Sequence, residues 1–145
     1  IGHDQFKNNT LSMVYPGGAH GHHLLIELEM YPTLILYLWD PANFNKVLYL
    51  ADFIRRKMDI PYEYNQDDMN MAKKYVGRVF INMELSNEVF FTQKSADYYL
   101  KYKKEHNDKS PTLFVSDIRL FNKIDAVSFF MNNLFKNFNK FTLLN

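Results

Sequence analysis

Three histidines stand in one glycine-rich turn, Pro16-Gly17-Gly18-Ala19-His20-Gly21-His22-His23. Imidazole is the side chain that titrates nearest neutrality, so it serves as a general base, an anion partner or a metal ligand. A glycine turn that leaves a strand and opens a helix directs backbone N–H groups and the positive end of the helix dipole at one point, where phosphate or sulfate is the natural guest. The turn lacks the Lys and Ser/Thr of the nucleotide loop G-x-x-x-x-G-K-[ST], which leaves its imidazoles to supply the polar side chains. The competing reading is a tight turn with solvated histidines. For a metal, His20, His22 and His23 could supply two ligands with Asp40 as a third, yet adjacent His22 and His23 diverge on a helix and on a strand alike. No dedicated metal site is expected.

Two further stretches place reactive side chains after an apolar run. In LYLWDPANF, Trp39, Asp40 and Asn43 follow a strand-like segment. Trp39 either stacks on a base or packs the core, and Asp40 is either a general base or a helix cap. In LFVSDIRLF, Ser116, Asp117 and Arg119 form either a phosphate contact or an ordinary strand-to-helix turn. No Ser-His-Asp order with a nucleophile elbow and no H-E-x-x-H is present.

These residues need elements to hold them. Residues 1–9, with Phe6 as their one apolar anchor, read as a loosely docked arm, and residues 10–145 as one domain. Leu11 to Tyr15 is a strand stopped by Pro16-Gly17-Gly18, and Leu24, Leu25, Leu28 and Tyr31 follow at helical spacing. Thr33 to Leu38 is almost wholly apolar, as in a strand buried on both faces. Phe44 to Met58 is a helix. From Asn65, the stripe Met69, Ala72, Val76, Val79, Phe80 and Met83 predicts one continuous helix, with Gly77 marking close packing. A helix from about Asn87 to Lys104, a strand over Pro111–Val115 and a last helix carrying Leu120 to Phe141 complete the order β-α-β-α-α-α-β-α. Strands separated by helical crossovers predict an α/β fold, a small and mostly parallel sheet flanked by helices and rich in helix, with ligands at the strand C-terminal ends.

Composition narrows the function further. Of 145 residues, 47% are hydrophobic and 17% aromatic, too much apolar surface for a disordered chain. A net charge of +1 gives no field to attract nucleic acid or an anionic membrane. Only four residues, Arg55, Arg56, Arg78 and Arg119, offer the bidentate geometry suited to phosphate. The absence of cysteine excludes thiolate chemistry and fits a reducing compartment, and no apolar run approaches a membrane span. The expectation is a soluble, cytoplasmic protein.

Taken together, MVYPGGAHGHHL, LYLWDPANF and LFVSDIRLF resemble the sulfotransferase family, a P-loop-like α/β fold with a phosphosulfate loop between an early strand and its helix. The resemblance implies a transferase whose donor is 3′-phosphoadenylyl sulfate. Gly17, Gly18, Ala19 and Gly21 would hold it, with Trp39, Asn43, Ser116 and Arg119 completing the cofactor contacts. His20 or His22 would deprotonate a small-molecule or carbohydrate acceptor. Where the family carries a basic residue with Ser-Gly-Thr, this chain has Gly-Gly-Ala-His-Gly. Two other classes remain open: a non-catalytic interaction protein that forms a homo-oligomer through residues 120–141, and a His-liganded metalloprotein.

Overall fold

The computed structural model describes residues 10–83, 90–116 and 141–144. Five strands, β1 (Leu11–Pro16), β2 (Leu34–Trp39), β3 (Val79–Ile81), β4 (Thr112–Val115) and β5 (Phe141–Leu144), form one sheet in the order β3-β2-β1-β4-β5. Every pairing is parallel. The described helices are α1 (His22–Met30), α2 (Lys46–Arg56), α3 (Gln66–Lys73) and α4 (Gln93–Glu105). This is the expected α/β architecture. No described helix is long and apolar enough to cross a membrane.

Strand alternation explains why the sheet needs two covering layers. Leu11, Met13 and Tyr15 of β1, Leu34, Leu36 and Leu38 of β2, and Val79 and Ile81 of β3 turn to one side, where they meet Leu24 and Leu28 of α1, Leu48 and Ala51 of α2, and Met69 and Ala72 of α3. The intervening residues Val14, Tyr37, Trp39, Phe80 and Phe114 face the other way and pack with Tyr99 of α4. The second layer is aromatic: Tyr37 stacks on Phe80 at 4.8 Å and meets Tyr99 edge-on at 4.9 Å. Because both faces of β2 are covered, its sequence is continuously apolar rather than alternating.

Three helix expectations are corrected. The helix expected to run from Asn65 to Met83 ends at Lys73. The chain reverses through Gly77 (φ +84°), and Val79-Phe80-Ile81 add a strand to the edge of β2. Val76, which a continued helix would bury, is 37% exposed. Arg78 fixes the reversal, donating from Nε to the Leu34 carbonyl and from Nη2 to those of Leu28 and Tyr31. Gly77 has no atom within 4 Å of where a Cβ would lie, so it serves backbone sign rather than close packing. The helix expected from about Asn87 begins only at Gln93, behind a Thr92–Ser95 capping box. Phe141, expected in the last helix, opens β5 instead. The arm at 1–9, Arg119 and most of the stretch 120–141 lie outside the described residues.

At the N-terminal edge of the sheet a polar cluster is buried under α4. Lys103, 1% exposed, donates its ammonium to the carbonyl and hydroxyl of Ser110 at 2.8 and 2.9 Å, with Asp108 at 3.5 Å. Ser110 in turn bonds Ser12, and Tyr99 bonds Thr112.

Candidate functional site

In a parallel sheet all strand C-termini open on one edge. The strand order departs from β1 towards β2 on one side and β4 on the other, and the crevice at such a switch point is where open α/β sheets bind ligands. The Gly17–Gly21 turn leaves β1 at this point. Beside it stand Asp40 and Asn43 after β2, Asn82 after β3 and Ser116 after β4.

The turn is fastened from the β2 side. Gly17 N donates to the Trp39 carbonyl at 2.8 Å, and Ala19 N donates to Asp40 Oδ2 at 3.1 Å. Asp40 Oδ1 accepts from Ala42 N at 2.8 Å. Asp40 is itself held through its main chain, since its N–H donates to Asn82 Oδ1 at 3.1 Å. Asp40 therefore caps no helix; it ties two turns together, and Asn45 is the residue that caps α2, accepting from Val47 N at 2.8 Å. Gly21 ends the turn with φ +80°, and a Cβ there would come within 3.0 Å of Leu48 and 3.1 Å of Leu24. Glycine is required twice over, for backbone sign and for space. As the residue before α1 it brings no side-chain cap; its carbonyl accepts from Leu24 N at 3.0 Å, which leaves the N–H groups of His22 and His23 as those with no intrahelical acceptor.

The hydrogen bonds assign different tautomers to the two candidate bases. His20 Nδ1 lies 2.6 Å from the Asn43 carbonyl oxygen, which only accepts, so His20 carries a proton on Nδ1, and the neutral ring then has its lone pair on Nε2. Asn45 Oδ1 is engaged by Val47 N, which fixes Asn45 Nδ2 as the group 3.1 Å from His22 Nδ1. His22 Nδ1 must accept, and its proton lies on Nε2. Both rings are exposed, with centroids 6.5 Å apart. One imidazole thus presents a base to solvent and its neighbour presents a donor.

The other predicted residues are distributed unevenly. Asn43 belongs to the site through its carbonyl. Trp39 is 1% exposed and packs edge-on against Phe91 at 5.0 Å, a core position with no face left for a base. Ser116, at the end of β4, is 1% exposed. Three of the four arginines are committed elsewhere. Arg78 holds carbonyls, while Arg55 and Arg56 pair with the buried Asp52 at 2.9 and 3.0 Å. Burial pushes the Asp52 carboxyl up against the opposing pull of those two guanidiniums. Asn45 and Asn82 were not singled out in the sequence. An Asn before Lys46-Val47 is a readable cap signal, whereas the Asn82 contact depends on β3, which no local pattern announced.

Chemically, the edge offers an uncapped helix N-terminus, a Nε2 base on His20 and a Nε2–H donor on His22. Asp40 already occupies one inward N–H of the turn, so the space for an anion is at the α1 end. Among the described residues no three His, Asp or Glu side chains converge as a metal site. Compared with known protein families, with curated proteins and with solved structures, the chain matches none.

Proposed function

We propose that the chain is a sulfotransferase-like transferase whose Gly17–Gly21 turn and α1 N-terminus bind a phosphosulfate nucleotide. The observation that carries this reading is the coincidence of a glycine turn at the switch point with a histidine whose Nε2 is left as a lone pair. When bound, the nucleotide would supply the sulfuryl group, its sulfate–phosphate S–O bond breaking as the acceptor oxygen bonds sulfur, with adenosine 3′,5′-bisphosphate as the leaving group. His20 Nε2 takes the proton of the acceptor hydroxyl, and the Asn43 carbonyl, hydrogen-bonded to Nδ1–H, stabilises the imidazolium that results. His22 Nε2–H and the first amides of α1 stabilise the negative charge of the phosphate groups. The acceptor is a small molecule or carbohydrate bearing a hydroxyl.

Calorimetric titration with adenosine 3′,5′-bisphosphate tests the binding step. Saturable heat with an upward shift in Tm is expected, and at a ligand concentration ~100 times Kd the added stability is about 2.7 kcal/mol. No heat and no shift would overturn the reading. If binding holds, His20→Ala should keep the bisphosphate within a factor of about three while sulfuryl transfer falls by ~10²-fold or more.

A further inference from the structure

Beside the glycine turn, along the outer side of α2, runs an open groove of about 400 Å³ lined by Asn43, Phe44, Lys46, Tyr49, Phe53 and Tyr62. Four of these side chains form an aromatic series. Phe44 meets Tyr49 at 6.1 Å, Tyr49 meets Phe53 at 6.2 Å, and Phe53 meets Tyr62 at 6.1 Å. Phe44 is 4% exposed and anchors the series in the core, whereas Tyr49, Phe53 and Tyr62 are only half-buried. Their faces offer flat apolar area of the kind that receives a planar ring by offset or edge-on stacking.

Lys46 is the one charged side chain among the residues that line the groove. Lys46 is exposed at the rim and has no carboxylate partner among the described residues, and no acidic side chain lines the groove. The Tyr62 hydroxyl is buried without a hydrogen-bond partner among the described residues, although buried hydroxyls are ordinarily satisfied. Burial, with Tyr49 and Asp52 nearby, pushes its pKa up to about 12, so it is a neutral hydroxyl able to donate. Volume, aromatic lining and a few polar groups are the attributes of a small-molecule site.

We infer that this groove binds a flat aromatic ring carrying an anionic substituent, the ring against Tyr49 and Phe53 and the charge on Lys46. Two sources share that chemistry: a free aryl acid, and the base and phosphate of a nucleotide. Asn43 lines the groove with its side of the turn and holds His20 with its carbonyl, so groove and glycine turn are neighbours. The two sources therefore differ in whether groove and turn are filled by one molecule or by two.

The test uses 2-naphthoate as the probe and the full chain, followed by calorimetry and ligand-observed NMR. Saturable binding of one naphthoate per chain is expected, weakened about tenfold, or ~1.4 kcal/mol, by Lys46→Glu and by Tyr49→Ala, with 2-naphthalenemethanol binding at least about tenfold more weakly than the acid. Both substituted side chains are at least partly exposed, and Tm measured on each variant establishes that it is folded. The inference is overturned if naphthoate shows no saturation into the millimolar range, if both variants bind like the wild type, or if the uncharged alcohol binds equally well. Adenosine 3′,5′-bisphosphate then separates the sources: displacement of naphthoate assigns the groove to a nucleotide, and simultaneous binding assigns it to a separate aryl acid, either result upholding the groove. The outcome is distinguishable from failure of the proposed function, because naphthoate binding and its weakening by Lys46→Glu and Tyr49→Ala are read with no nucleotide present, whereas that reading fails on the bisphosphate titration alone.

Discussion

At the scale of single residues, Asn45 joins stability to chemistry. Its Oδ1 caps α2 and its Nδ2 sets the protonation of His22. Asn45→Asp keeps the cap, and adds a favourable charge at a helix N-terminus, but places a second acceptor against His22 Nδ1. The expected outcome is a His22 ring with its proton moved to Nδ1, or carrying both, while His20 is unchanged; long-range ¹H–¹⁵N spectra of the two imidazoles report it directly. A His22 spectrum identical to wild type would show that Asn45 does not set the tautomer. Asn45→Ala should instead cost about 1 kcal/mol through loss of the cap. The three histidines and the glycines were legible in the sequence because residue type and local order carry that information. Which nitrogen holds the proton was not, since it depends on Asn43 and Asn45, both more than twenty positions away.

Among elements, the two glycines with positive φ before α1 and before β3 invite a comparison. Gly77→Ala meets no neighbour, so its cost is the left-handed backbone alone, about 1–2 kcal/mol. Gly21→Ala incurs the same backbone term and also drives a methyl into Leu48 and Leu24, adding about 1–3 kcal/mol for overpacking. Chemical denaturation should rank Gly21→Ala as the more damaging; equal losses would mean that Leu48 and Leu24 yield freely. The strands β1, β2 and β4 were readable to within a residue because they are buried, apolar and bounded by Pro or Gly. β3 was missed for a physical reason. Val79, Phe80 and Met83 continue the spacing of the α3 stripe, and only pairing with β2 and the Arg78 clamp, both long-range, override that periodicity. The cap alternative for Asp40 arose because Asp before Pro imitates a helix start, whereas here its carboxylate bridges two turns.

On the scale of the whole molecule, the two edges of the sheet have different tasks. The C-terminal edge presents the glycine turn, and the N-terminal edge is fastened by the Lys103 cluster. Burial pushes the Asp108 carboxyl up, but its hydrogen bonds from Ser110 and the nearby Lys103 ammonium outweigh that and hold it below the ordinary carboxylate range. A carboxyl with a lowered folded-state pKa stabilises the fold fully above its unfolded value of about 3.9 and loses that contribution as pH falls through the folded one. Asp108→Asn should therefore cost about 1–2 kcal/mol near neutrality and should show a shallower loss of stability below about pH 4 than the wild type, as measured by urea unfolding across pH. Equal acid slopes would remove Asp108 from the account. The parallel order also has a consequence during synthesis. The central strand β1 pairs with β2 from the early part of the chain and with β4 from near its end. A ribosome that has released residues 10–81 has made most of the aliphatic layer, yet β1 still shows one unpaired edge and the aromatic side of the sheet lies bare until α4 and β4 emerge. Unpaired edges and exposed apolar faces are what nascent chains aggregate through. The interval between translating β3 and translating β4 is thus when this protein is most exposed to misassembly and when a chaperone has most to protect.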